Sequence, residues 1–312
     1  MKKKVLISDA MHPSIVPTLS ELNFEVDYFP EITREQILQT LHQYVGLIIR
    51  SKTVIDKELI DSGKNLTFIA RAGAGLDQMD LTYAKLKNVN IINAPEGNRD
   101  AVGEHAMGML LNLFNHINRA DQQVRMFTWN REQNRGVELC GKTVGIIGYG
   151  NMGSSFAQRL SGFDCEVRAY DKYKKKFTDE YAKESSLENI FEVADIISFH
   201  VPLTKETRLM ASDEFFKRFQ KSIYLINTSR GEILSLKTLL NQLLSGKVIA
   251  AALDVLENEK FNTLTGEQKL VLNELFKLNN VVFTPHVAGW SKESYIKINQ
   301  TLAKKIKLLK LA

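Results

Sequence analysis

Apolar residues in this chain come in short, nearly unbroken runs rich in Val, Ile, Leu and Phe, separated by stretches with apolar positions at helical spacing. The runs "KVLISD" (4–9), "EVDYF" (25–29), "VGLIIRS" (45–51), "LTFIARAG" (66–73) and "VNIINAP" (89–95) predict strands. Helical patterns over 14–22, 33–42 and 79–87 lie between them. Strands buried on both faces read as continuous hydrophobic runs, and their alternation with helices is the βαβ rhythm of a parallel sheet. A long helix is predicted over about 101–120, then an irregular polar segment to 141.

A second series follows: "KTVGIIGYG" (142–150), "EVRAYD" (166–171), "ADIISFH" (194–200), "SIYLINTS" (222–229), "VIAAALDV" (248–255) and "NVVFTPH" (280–286). The last helical pattern spans 291–311. The simplest organisation is two α/β domains with the second inserted into the first. Residues 1–98 and 290–312 form one, 99–289 the other, with hinges near 96–103 and 286–290. A length of 312 residues accommodates both cores.

The net charge of +5 sits in short groups such as Lys2–Lys4 and Lys174–Lys176. That is a solvated surface rather than a nucleic-acid footprint, and it is compatible with a small anionic substrate. Cys140 and Cys165 make neither a disulfide framework nor a metal-ligand spacing, so no metal is expected and the thiols read as reduced. No secretory leader opens the chain, and "AVGEHAMGMLLNLF" (101–114) is too short and too polar to span a membrane. The expectation is a cytoplasmic protein without membrane or nucleic-acid partners.

"VGIIGYGNMGSSFAQRL" contains Gly148-x-Gly150-x-x-Gly153 after an apolar strand and at the start of a helix. Gly148 permits the tight turn, Gly150 lets a pyrophosphate approach the backbone, and Gly153 allows close helix–strand packing. The helix start offers unpaired N–H groups to the phosphates. Asp171 ends the next strand, where an acid can hydrogen-bond ribose hydroxyls. Asp171 favours NAD over NADP, and Lys172 and Lys174–Lys176 are the counter-signal.

Three further strand ends carry polar residues that a sheet does not need: Arg230 in "INTSRGE", Asp254 and Glu259 in "ALDVLENEK", and His286 in "TPHVAG". Ligands of open parallel sheets bind outside the carboxyl ends of strands. Singly, Arg230 reads as a surface ion pair, Glu259 as a solvated acid and His286 as a packed residue. Together, beside a dinucleotide turn, they suit hydride transfer at a carbinol carbon. His286 would exchange the hydroxyl proton, Glu259 would favour its imidazolium, and Arg230 would hold a carboxylate.

The pieces "RAGAGLDQMD" (71–80), "GNRDAVGEHAMGMLL" (97–111), "GKTVGIIGYGNMG" (141–153), "HVPLTKET" (200–207), "INTSRGE", "ALDVLENE" and "TPHVAG" make the chain resemble the D-isomer-specific 2-hydroxyacid dehydrogenases over nearly its whole length. The resemblance implies a Rossmann NAD-binding domain inserted into a flavodoxin-like substrate domain. It also implies catalysis by Arg230, Glu259 and His286. Ala74, Gly148, Gly150, Asn151, Met152, Gly153, Asp171, His200, Val201, Pro202, Thr228, Ser229, Asp254 and Gly289 would line NAD. Arg71, Ala72, Gly73 and Gly75 would bind the substrate, the loop Ala72–Gly75 presenting N–H groups to its carboxylate. One departure is Lys260, where the family usually has proline after the glutamate; the polar segment "KFNTLTGEQ" follows it.

Within the family, the chain most resembles the branch that oxidises D-3-phosphoglycerate to 3-phosphohydroxypyruvate, a reaction feeding serine synthesis. That makes Arg50 and Arg131 phosphate-binding candidates, and implies a homodimer through the NAD domain with residues 101–140 contributing. No regulatory domain is expected after the last helix. Other readings are a glyoxylate or hydroxypyruvate reductase and, from a different class, an NAD-sensing corepressor-like binding protein. A formate dehydrogenase fits less well, because those relatives carry glutamine where this chain has Glu259.

Overall fold

The computed structural model describes residues 2–310; Leu311, in the predicted last helix, and the outermost positions of the terminal domain segments, Met1 and Ala312, lie outside them. The chain divides into two compact units, one of residues 1–99 and 290–312, the other Asp100–Gly289.

The first unit holds a five-stranded sheet in the order β2-β1-β3-β4-β5, all parallel. The strands are β1 (Lys3–Ile7), β2 (Phe24–Tyr28), β3 (Gly46–Ile49), β4 (Phe68–Arg71) and β5 (Asn90–Asn93). Alternate residues of β3 serve opposite cores. Ile48 joins Val5, Ile7, Leu302 and Ile306 on one face. Leu47 and Ile49 join Ile37, Leu59 and Ala84 on the other. Both faces are therefore sealed by helices, which is why the strands carry few polar residues. The closing helix, Lys292–Leu308, starts with a capping box between Ser291 and Ser294 that satisfies two N–H groups.

The second unit holds seven parallel strands in the order β12-β11-β10-β9-β6-β7-β8. They are β6 (Thr143–Ile147), β7 (Glu166–Tyr170), β8 (Lys183–Glu184), β9 (Ile196–Phe199), β10 (Ile223–Asn227), β11 (Val248–Leu253) and β12 (Val281–Phe283). The order reverses at β6, which lies between β7 and β9; such a switch point opens a crevice at the strands' carboxyl ends. The short edge strand β8 carries no apolar run and has no signal in the sequence pattern.

The long helix differs from its expected span. It runs Pro95–Asn115, so it begins several residues earlier, and a second helix, Ile117–Arg125, follows. Pro95 suits a first helical turn, where no N–H is needed. The break falls at His116, whose φ of 52° is left-handed. Met109, Leu110, Leu113 and Phe114 pack into the core of the unit's own sheet.

Candidate active site

The dinucleotide turn is built from backbone. Gly148 has a φ of +97°, and a Cβ there would lie 2.7 Å from the carbonyl oxygen of His200. A Cβ on Gly153 would overlap the Gly148 carbonyl, so this helix can approach its strand only through glycine. The helix Asn151–Leu160 begins at Gly150 without a side-chain cap, and the space around a Cβ at Gly150 is open. Asn151 and Met152 form its first turn, whose N–H groups lack intrahelical partners.

Asp171 follows β7 and organises this turn. Its Oδ2 accepts from Tyr149 N at 3.0 Å, and its Oδ1 accepts from Tyr173 N at 2.9 Å and Lys174 N at 3.0 Å. Lys174 Nζ donates to Tyr149 O at 2.8 Å, and Lys172 pairs with Glu206. The Tyr149 hydroxyl donates to Asp179, and burial followed by this carboxylate pushes the phenol's pKa upward. Two buried atoms at neighbouring strand ends, Thr228 Oγ1 and His200 Nδ1, have no hydrogen-bond partner among the described residues. His200 Nε2 meets Ser198 Oγ at 2.8 Å, and burial pushes its pKa down to about 3, so the ring is neutral. Val201 and Pro202 extend from the same strand end. An uncapped helix start, an open glycine and an orphaned Thr228 hydroxyl together fit a dinucleotide.

The candidate acid–base residues follow the adjacent strands β10, β11 and β12. Asp254, 1% exposed, follows β11 and ties down the turn after β12. Its carbonyl accepts from His286 N at 2.7 Å. Its carboxylate accepts from Thr284 Oγ1 at 2.6 Å, Val287 N at 2.9 Å and Ala288 N at 2.9 Å. His105 Nε2 meets the same Thr284 hydroxyl at 3.0 Å. This clamp holds His286 at a φ of 56°, a left-handed conformation uncommon outside glycine.

The exposed His286 ring has Nδ1 at 2.9 Å and 3.0 Å from the two oxygens of Glu259. A carboxylate accepts, so Nδ1 is the donor of this contact and Nε2 is the ring nitrogen left outside it. Lys260 N donates to Asn258 Oδ1 at 3.0 Å, and the short turn Phe261–Thr263 follows. A proline would lack that donor, so the loop takes a path that needs a residue with an N–H. Arg230 follows β10; Asn227 Nδ2 donates to its carbonyl at 3.0 Å, while Asn227 Oδ1 accepts from Ser229. Gly289 is the last residue of this unit.

The other predicted residues lie in the first unit, apart from Arg131. Arg50 follows β3, and Arg71 Nε donates to its carbonyl at 3.1 Å. Ala72 N donates to Ile49 O at 2.8 Å, and Gly73 turns with a φ of +145° beneath the Arg71 guanidinium. Asn93 Nδ2 holds the Ala74 carbonyl at 2.6 Å. Among the described residues, the N–H groups of Ala74 and Gly75 have no acceptor. Arg131 stands on an exposed turn of the second unit, ahead of Glu132–Asn134.

Residues 107–288 match the NAD-binding domain of the D-isomer-specific 2-hydroxyacid dehydrogenases. A hydroxypyruvate reductase of Thermotoga maritima is 36% identical over 275 residues, which cover 88% of each chain. The chain belongs to the D-isomer-specific 2-hydroxyacid dehydrogenase family. A D-3-phosphoglycerate dehydrogenase of Archaeoglobus fulgidus is 33% identical over 97% of this chain, which spans only 56% of that protein's length. The D-lactate dehydrogenase of Aquifex aeolicus, solved with NAD and lactic acid, superposes with a TM-score of 0.82 at 26% identity, covering 98% of this chain and 95% of that one. The Gly148–Gly153 turn thus lies in a family NAD-binding domain. Among the described residues no helix is long and apolar enough to cross a membrane.

The sequence reading of this family member missed His105 and Thr284 as supports of Asp254, and Trp290 and Tyr295 beside Arg50. A histidine inside an otherwise apolar helix was the available signal for the first. A tryptophan straight after a run of small residues was the signal for the last pair.

Proposed function

We propose that the protein is an NAD-dependent D-2-hydroxyacid dehydrogenase that interconverts D-3-phosphoglycerate and 3-phosphohydroxypyruvate. The observation that carries the reaction type is the His286–Glu259 pair, held beside the strand end that bears Asp254. Oxidation of a carbinol releases a proton, which His286 accepts at Nε2 while Glu259 stabilises the resulting imidazolium. Arg230 holds the substrate carboxylate and polarises the reacting oxygen. In the first unit the open N–H groups of Ala74 and Gly75 are candidate donors to an anion. When bound, NAD supplies the hydride acceptor. Asn151, Met152 and Gly153 hold its phosphates, Asp171 a ribose, and Thr228 and Asp254 the remaining polar edge.

The phosphorylated substrate is supported by the names of several relatives and by the cations Arg50 and Arg131. A hydroxypyruvate reductase is the second reading, favoured by the Thermotoga relative and its higher coverage. A cytoplasmic homodimer completes the proposal. Ile117, Val124, Met126, Phe127 and Trp129, each more than half exposed, supply an apolar face for a second copy. The test is NADH formation with D-3-phosphoglycerate, D-glycerate, D-lactate and formate, with each 2-oxo acid also assayed in reduction. Preference for the phosphorylated pair is expected. Turnover of unphosphorylated acids alone overturns the substrate and leaves the reaction class.

A further inference from the structure

The first unit fixes a cation without neutralising it. Arg50 is held by its main chain: its N–H donates to the buried Asp9 carboxylate, and its carbonyl accepts from Arg71 Nε. Its guanidinium carbon lies 4.1 Å from the ring centroid of Trp290 and 4.5 Å from that of Tyr295. Those two rings meet edge to face, at 81° and 6.1 Å between centroids, so the guanidinium occupies the corner between them. Several other arginines sit on carboxylates: Arg34 on Asp56 and Glu58, Arg159 on Asp100 and Arg168 on Glu166. Among the described residues no carboxylate or carbonyl accepts from the Arg50 guanidinium, although it could donate five hydrogen bonds.

Trp290 is 60% exposed, so burying its own surface does not explain its place. An open cavity of about 530 Å³ adjoins the corner, lined by His12, Trp290, Lys292, Glu293 and Tyr295. His12 Nδ1 accepts from Ser14 N at 3.2 Å and meets Ser14 Oγ at 3.0 Å, so its contacts on the chain are made through that nitrogen. The corner thus holds a fork without an acceptor among the described residues, and the cavity beside it carries Lys292 and His12 together with the single carboxylate of Glu293.

We propose that Trp290 and Tyr295 are specificity-determining positioning residues. They hold the Arg50 fork with its N–H edge open to the phosphate monoester at the far end of a three-carbon hydroxy acid. Ring faces attract the guanidinium without consuming its donors, and they restrict the rotamers in which it could turn away. This rests on the dehydrogenase reading above, and extends it to residues that touch Arg50 rather than the reacting carbon.

The test compares reduction of 3-phosphohydroxypyruvate and hydroxypyruvate by Trp290→Leu, Tyr295→Leu and Tyr295→Phe. The two leucine variants should raise KM for the phosphorylated acid about tenfold, as expected for loss of one cation–π contact, with kcat within about twofold. KM for hydroxypyruvate should not move, and Tyr295→Phe, which keeps the ring, should behave as wild type. Equal changes for both acids, or none, overturn the proposal. A binding readout separates this from the activity itself. Trp129→Phe leaves Trp290 as the sole tryptophan of the two in the chain. Its fluorescence should respond to D-3-phosphoglycerate and not to D-glycerate, and Arg50→Ala should abolish the response. No response to either acid overturns the proposal. A response in a protein that reduces no 2-oxo acid removes the dehydrogenase reading and keeps the phosphate site.

Discussion

Two loops follow parallel strands and leave backbone N–H groups open: Gly148–Gly153 after β6, and Ala72–Gly75 after β4. The first runs directly into a ten-residue helix, so its donors come with the positive end of a helix dipole. The second runs through irregular chain to the short helix Leu81–Leu86, with no dipole behind it. Side chains prop it, Arg71 over Gly73 and Asn93 on Ala74, whereas on the first loop Asp171 adds to the helix start. A backbone device with an extended helix suits a ligand common to a whole family. A loop that depends on neighbouring side chains suits a ligand that differs between its members.

The largest test leaves both loops intact and removes the chemistry. His286→Ala should lower kcat by about two to four orders of magnitude with NAD affinity unchanged in a fluorescence titration. Turnover within a few-fold of wild type would take His286 out of the acid–base role. Gly153→Ala comes next: its Cβ meets backbone, which cannot give way, so NAD affinity should fall at least about 100-fold and the melting temperature should drop. Gly150→Ala sharpens that result. With open space around its Cβ, it should melt as wild type does while binding NAD about tenfold more weakly. An unchanged affinity would mean that the phosphates pass elsewhere.

For the other loop, Gly73→Ala forces alanine into a φ of +145°. KM for the 2-oxo acid should rise about tenfold with NAD affinity constant, as expected when a donor loop shifts. Equal loss of both affinities would erase the distinction between the two loops. Asp171→Ala should shift the NAD to NADP preference about tenfold toward NADP, and also loosen the turn whose Tyr149 N–H it accepts. A constant ratio would mean that Asp171 serves only the backbone.

The smallest effect is on stability. His200 has a folded pKa pushed down to about 3, below its unfolded value near 6.5, because the buried ring cannot be charged. The unfolded chain therefore binds the extra proton first as pH falls. Stability associated with His200 is fully present above pH of about 6.5 and is lost on acidification, by up to about 1.4 kcal/mol per pH unit. Denaturant titrations of wild type and His200→Asn at pH 7 and pH 5 should differ in slope; parallel losses would assign the acid sensitivity elsewhere.

The parallel strands of both units, except the short edge strand β8, were legible as short β-rich runs between helical patterns, most plainly in β3 and β9, whose residues are all buried. The Gly148–Gly153 turn was legible because backbone geometry demands glycine at fixed spacing. His286 stood out as a polar residue just past a strand end, and Glu259 as an acid on the loop after another. The start of the helix at Pro95 was hidden by its polar first turns, where Glu96 pairs with Lys305 across more than two hundred residues of sequence. The break at His116 is a single left-handed residue, which no periodicity reveals. Trp290, Tyr295 and Arg50 meet only because the last helix returns to the first sheet's unit, and local sequence carries no trace of that encounter.

The left-handed backbone at His286 sets two selective pressures against each other at one position. Glycine would rest there without steric penalty and asparagine at a reduced one, while histidine carries a cost of about 1 kcal/mol that Asp254 and its neighbours absorb. A library of variants sorted only for heat resistance should therefore drift away from histidine at 286, whereas one sorted for turnover should retain it. The residue found at this position in any descendant would record which pressure had acted on its lineage.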